Sequence, residues 1–190
     1  MAKLLFLAGS ARQDSTNKKL AQFAAKLAEQ AGAEATYIDL KDYDMPLYDG
    51  DWEAENSLPA HAVKLKKIFQ DHDGIFIASP EYNSSFSPLL KNALDWISRP
   101  HEKNETPLIS YKGKAVALGA VSPGGLGGLR GLVPLRMMFG NIGVFVTPTQ
   151  VAISNGFQAF DEEGSLVDEQ QIGMLQATVN ELIETATALS

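Results

Sequence analysis

Two clusters of polar residues, each lying just after an apolar run, hold the groups from which this chain could build a site. Ser10, Arg12, Ser15, Thr16 and Asn17 fall within residues 9–17, between the apolar stretch at 3–8 and a segment with Leu20, Phe23, Ala24, Leu27 and Ala28 at helical spacing. At the start of a helix, unpaired backbone N–H groups and the helix dipole favour an anion. The hydroxyls and the Asn17 amide add donors there, and the Arg12 guanidinium adds a charge-assisted one. The loop has neither Gly-x-Gly-x-x-Gly nor Gly-Lys-Ser/Thr, so it suits a terminal phosphomonoester more than a magnesium-bound triphosphate. A simpler reading makes Ser15 or Thr16 an ordinary helix cap. Against it stands the gathering of one cation and several hydroxyls in an otherwise acidic chain.

The second cluster is Pro80, Glu81, Tyr82 and Asn83, which follow the apolar run Gly74–Ala78. Tyr82 offers a flat ring, and the peptide groups of residues 81–83 can bond the polar rim of a planar ligand. A third loop, residues 122–128, contains Ser122, Gly124 and Gly125 after the apolar run at 115–120; its glycines allow close backbone approach and unusual dihedrals. In a parallel sheet all three loops lie at the same edge, where ligands of such sheets bind. A phosphate seat, a ring face and a ring edge together describe a mononucleotide site. Lys91, Asn92, Asp95 and Trp96 read as packing and capping residues of a helix leading away from it, and Arg99 as a complement to that helix's dipole. Arg130 has two open roles, at a cofactor phosphate or at a partner subunit.

The elements that must position these loops alternate along the chain. Strands are predicted at 3–8, 35–40, 74–78, 115–120 and 144–147, and helices follow each, the last running from Asp168 to Leu189. Residues 43–58, rich in Pro, Gly, Asp and Asn, read as an ordered surface excursion. Near-continuous apolar strands such as Gly74–Ala78 are those buried on both faces of a parallel sheet. Right-handed crossovers then give an α/β, three-layer, doubly wound flavodoxin-like sheet of five strands in the order 2-1-3-4-5. At 190 residues with 45% hydrophobic content, one domain over residues 1–190 is expected.

Composition excludes several classes of function. A net charge of −7 opposes general nucleic-acid binding, and the absence of cysteine removes disulfides, thiolate nucleophiles and Cys-ligated metals. His61, His72 and His101 lie singly in polar stretches, and no metal is assigned to them. No apolar run approaches a membrane span, and residues 1–9 do not read as a signal peptide. A cytoplasmic protein is expected.

Gly9-Ser10-x-Arg12-x-x-Ser15-x-Asn17-x-x-Leu20-Ala21 is followed by Pro80-Glu81-Tyr82-Asn83 with Leu90-Lys91-Asn92-Ala93-x-Asp95-Trp96, and then by Ser122-x-Gly124-x-x-Gly127-Gly128-x-Arg130. Through these motifs the chain, over about residues 3–185, resembles the NADPH-dependent FMN reductase family, which includes quinone, chromate and azo-dye reductases. The resemblance implies non-covalent FMN, its phosphate on Ser10, Arg12, Ser15, Thr16 and Asn17. It places the isoalloxazine against Pro80, Glu81, Tyr82 and Asn83, with Ser122, Gly124 and Gly125 on the pyrimidine side. It also implies ping-pong hydride transfer from NADPH or NADH to a small acceptor, with no catalytic side chain required. The chain departs from the family at Ser84, Ser87 and Pro88, where Gly, Pro and Gly are usual; these positions are expected at the mouth of the pocket, where substrate preference is set.

Two helices are apolar beyond one core stripe: Leu89 and Trp96 lie off the stripe of the fourth, and Leu132, Val133, Leu135, Met137, Met138 and Phe139 spread round the fifth. A homodimer joined through them, or a homotetramer, is expected, as the family resemblance also implies. The competing reading is a flavodoxin-type electron carrier, with the same fold and FMN but a protein partner.

Overall fold

The computed structural model describes residues 1–190. Strands β1 (Lys3–Ala8), β2 (Glu34–Asp39) and β3 (Gly74–Ala78) are joined through helices α1 (Thr16–Gln30), α2 (Gly50–Asn56) and α3 (Ala60–Gln70). A two-strand ribbon, β4 (Glu81–Tyr82) and β5 (Ser85–Phe86), precedes α4 (Pro88–Ser98); then come β6 (Ala115–Val121), α5 (Leu129–Asn141), β7 (Phe145–Ile153) and α6 (Glu169–Leu189). The five long strands form one parallel sheet in the order β2-β1-β3-β6-β7, which is the expected 2-1-3-4-5.

Side chains alternate along the central strands, so the sheet faces two cores. Leu4, Phe6, Ala8 and Phe76 point to a layer with Leu20, Ala24, Val179 and Leu182 of α1 and α6. Leu5, Leu7, Ile75 and Ile77 point to the opposite layer with Leu65, Phe69, Leu90, Leu132 and Leu135 of α3, α4 and α5. Burial on both faces explains why these strands read as unbroken apolar runs.

Three elements differ from expectation. Residues 43–58 contain α2, capped by Asp49, whose carboxylate accepts from the N–H groups of Asp51 and Trp52 at 2.8 and 3.0 Å. Its Trp52 and the preceding Tyr48 meet Trp96 edge-on, with ring centroids 5.6 and 5.0 Å away. The Trp96 indole N–H donates to the Pro46 carbonyl at 2.7 Å. The tryptophan is therefore fully buried by its own chain and unavailable to a partner. Arg99, expected to serve the helix dipole, instead pairs with Glu53 of α2 at 3.0 Å.

The last strand reaches Ile153 instead of stopping at Thr147. Pro148 interrupts the sequence pattern, but β7 is an edge strand whose pairing with β6 shifts register between Val116 and Leu118, and proline is tolerated at such a place. Arg136 of α5 braces the irregular stretch, donating to the Thr147 carbonyl at 2.8 Å and to Gln150 Oε1 at 3.0 Å. The third difference is the ribbon β4–β5, expected as open loop. Asn83 and Ser84 form its two-residue turn, both in the left-handed region at φ 51° and 66°. Two positive φ values match a type I′ hairpin turn, which Asn suits and Ser does not.

Candidate functional site

The strand ends are stitched together at one edge of the sheet. The Gly9 N–H donates to the Ala78 carbonyl at 2.9 Å, that of Ser79 to Gly119 at 2.7 Å, and that of Ser122 to Ile153 at 3.1 Å. Above this edge lies a cleft of about 220 Å³ lined by residues from four loops. It brings together Ser10, Arg12, Ser15, Thr16, Asn17, Pro80, Glu81, Tyr82 and Ser122 of the expected set. Asn83, Gly124 and Gly125 stand outside its lining.

Residues 9–17 form the closed end. Ser15 is the N-cap of α1, its hydroxyl oxygen facing the Lys18 N–H at 3.4 Å, so capping and anion binding share one residue. The Thr16 and Asn17 N–H groups have no partner within the chain. They point outward at the positive end of a helix of 15 residues. The Ser10 hydroxyl oxygen accepts from the Arg12 N–H at 3.3 Å, leaving its proton free to donate. The Arg12 side chain is exposed and has no carboxylate partner. This donor set is what a phosphate monoester requires. Asp14 also lines the rim and is the one anionic group set against it.

Asn17 has a different task from the one expected of its side chain. Its amide N–H donates to the Val121 carbonyl and its amide oxygen accepts from the Val121 N–H, both at 3.0 Å. The amide thus ties α1 to the end of β6, and only the Asn17 backbone N–H remains for an anion.

The open end is the β4–β5 ribbon. Tyr82 is about half exposed, at 48%, with its ring free beside Pro80. The Glu81 carboxylate turns away from the cleft to grip α5: it accepts from Arg130 Nη2 at 2.8 Å and Nε at 3.0 Å, and from the Gly131 N–H at 3.3 Å. Within its own chain Arg130 thus pairs with the hairpin, while much of its side chain stays exposed on α5. Gly131 is needed at this joint, because a Cβ there would stand 3.1 Å from the Ser85 carbonyl oxygen and 3.2 Å from the Glu81 Cβ.

The glycine loop splits by role. Gly127, at φ 60°, would place a Cβ 2.6 Å from the Ala152 carbonyl carbon, so it is fixed by close passage over β7. Gly124 and Gly125 are exposed and meet no such constraint. The loop after β7, which the sequence reading missed, completes the wall with Gly156 and Phe157. Gly156 donates to the Ser122 carbonyl at 3.1 Å, and Phe157 is 78% exposed. The turn residues Ser154-Asn155-Gly156 signalled that loop, but ending the strand early at Pro148 hid its position at the sheet edge.

Of the three departures from the family pattern, Ser84 lies in the turn of the ribbon whose Glu81 and Tyr82 line the cleft, and is itself outside that lining. Ser87 is buried; its hydroxyl donates to the Gly9 carbonyl at 2.6 Å and accepts from the Leu90 N–H at 3.2 Å, capping α4. Pro88 occupies the first turn of that helix. Both therefore help to form the start of α4. Lys91 and Asp95 pair with each other on the surface of α4, and Asn92 bonds Tyr48 and Pro46.

The family model for NADPH-dependent FMN reductase matches residues 2–158. A 2-hydroxy-1,4-benzoquinone reductase from a Burkholderia species is 32% identical over 92% of this chain and 90% of its own length. An NAD(P)H-dependent FMN reductase of Pseudomonas aeruginosa is 32% identical over 95% of this chain and 92% of its own. Among solved structures, a flavoenzyme NAD(P)H:(acceptor) oxidoreductase from Paracoccus denitrificans superposes with a TM-score of 0.83 and 29% identity, covering 99% of this chain and 98% of that one.

The grip of Glu81 on α5 is testable by a double-mutant cycle in urea. Because Arg130 is 62% exposed, its pair with Glu81 is discounted to a coupling of about 1 kcal/mol. Glu81→Gln and Arg130→Ala should each destabilise the fold by about that much and the double variant by little more; fully additive losses would show that no such grip exists.

Proposed function

This chain belongs to the NADPH-dependent FMN reductase family, and on that premise we propose that the cleft binds FMN by its phosphate and serves reduction of a small acceptor by NAD(P)H. The observation that carries the proposal is the closed end of the cleft, where two unpartnered N–H groups, two buried hydroxyls and one unpaired guanidinium converge. Ser10, Arg12, Ser15 and the backbone of Thr16 and Asn17 would hold the phosphate, and Pro80, Tyr82 and Ser122 would face the ring. The cleft volume of about 220 Å³ lies below the roughly 300–1,000 Å³ of typical ligand pockets, so a flavin would extend along the open ribbon. That leaves Tyr82 and Phe157 at the exposed side, where a flat acceptor or a nicotinamide would enter.

The chemistry that FMN supplies when bound is ping-pong hydride transfer, from NAD(P)H and then onward to a quinone, flavin, azo compound or chromate in the same place. The chain contributes orientation. The Glu81 grip fixes the ribbon, and the Asn17 amide fixes the phosphate seat relative to Ser122. No His or Cys lines the cleft, and none is needed if the side chains only bind and align.

Two subunits are also part of this reading, with the interface moved. Trp96 is covered by α2, but Leu129, Val133 and Met137 of α5 remain 40%, 62% and 63% exposed in one row, beside Leu126 at 54%. Such a row on a helix marks an interaction face, and α5 is the helix that Glu81 holds.

Arg12→Ala is expected to weaken FMN binding by about 1–3 kcal/mol, the scale of one charge-assisted bond, as read by flavin fluorescence titration; unchanged affinity would refute the phosphate assignment. Sedimentation velocity at micromolar concentration should give a dimer or tetramer that Val133→Glu with Met137→Glu converts to monomer. A wild-type monomer would contradict the assembly.

A further inference from the structure

Beside the cleft lies a second cavity, of about 280 Å³, which shares Asp14 and Ser15 with it. Gln13 precedes α1, Lys18, Lys19 and Gln22 come from α1, Tyr37 and Asp39 from β2, and Lys41 from just beyond. Three of the 16 basic residues in a chain of net charge −7 thus meet at one cavity. Lys18 is buried and committed to Asp39 at 2.5 Å. Lys19 and Lys41 have no acidic partner. With Asp39 neutralised by Lys18, two free ammonium groups face the single carboxylate of Asp14.

The wall also holds an unanswered donor. The Tyr37 hydroxyl is buried with no hydrogen-bond partner. Burial first, then the charges of Asp39 and Asp42, push its pKa up to about 12, so it stays protonated and can only gain by meeting an acceptor. Neither the FMN phosphate seat nor the ring wall uses Lys19, Lys41 or Tyr37.

We propose that this cavity is a second phosphate subsite, which binds the 2′-phosphate of NADPH and so distinguishes NADPH from NADH. The inference rests on the reductase reading above and adds the residues that choose the hydride donor. A phosphomonoester near neutral pH carries close to two negative charges; Lys19 and Lys41 meet them as mobile point charges, and Gln13 and Gln22 offer neutral donors beside the wall that Tyr37 closes. NADH presents a neutral hydroxyl at the same position and forfeits the charge-assisted bonds. Asp14, on the ridge between the two cavities, opposes an anion in either, and the two free lysines outweigh it.

The test needs two measurements on the whole chain. Calorimetry should show 2′,5′-ADP binding about tenfold or more tightly than 5′-ADP. That gap should close in the Lys19→Ala/Lys41→Ala double variant and narrow at high salt. In steady-state assays of the FMN-loaded enzyme, the KM for NADPH relative to that for NADH should rise about tenfold in the double variant. Equal affinity of the wild type for the two adenosine diphosphates would overturn the subsite, as would an equal rise in both KM values. A chain that binds no FMN would instead refute the reductase reading, and the calorimetric comparison, which needs no flavin, would still decide the subsite.

Discussion

The cleft depends on one buried amide. Asn17, in the first turn of α1, donates to and accepts from the backbone of Val121, 104 residues away, at 3.0 Å in each direction. Val121 is the last residue of β6, and its neighbour Ser122 begins the third loop. This pair of bonds therefore fixes the distance between the anion seat and the wall opposite it. Removing the amide would leave a buried N–H and C=O of Val121 unpaired, at about 1–3 kcal/mol for each group. Two other side chains act in the same way. Ser87 joins the start of α4 to the Gly9 carbonyl, and Glu81 joins the hairpin to α5. The backbone sheet brings the loops to one edge, and these three side chains set them relative to one another.

Much of this order was legible in the sequence. Apolar runs such as Gly74–Ala78 announced strands buried on both faces, and the alternation of strands and helices determined the sheet order. Ser10, Arg12, Ser15 and Thr16 could be placed because hydroxyls and a cation after a first strand have few other reasons to gather. What sequence could not show is where a polar side chain is spent. Asn17 and Glu81 belong to the expected set and line the cleft, yet their polar ends serve distant partners, a matter of tertiary geometry that local pattern does not encode. The same limit applies to Trp96: its helical position lies off the core stripe, and only the packing of α2 against it makes it interior. Pro148 misled for a local reason, since a proline usually ends a strand but is accepted at a shifted edge.

The departures from the family pattern acquire different meanings once placed. Ser87 gains a cap and a bond to Gly9, so its hydroxyl stabilises the junction that supports the anion seat. Ser84 holds a left-handed conformation that glycine adopts freely, which costs about 1–2 kcal/mol in the turn that carries Tyr82. The exposed rings of Tyr82 and Phe157 then stand at the open end of the cleft, and Lys19 and Lys41 line the second cavity behind its closed end.

The central claim is that the closed end of the cleft recognises a phosphate on a flavin. Titration of the purified chain with FMN and with riboflavin, followed by flavin fluorescence, tests it most directly, because the two ligands differ only in that group. The account predicts saturable binding of one FMN per chain and riboflavin binding weaker by about tenfold or more. Equal affinity for the two would contradict it.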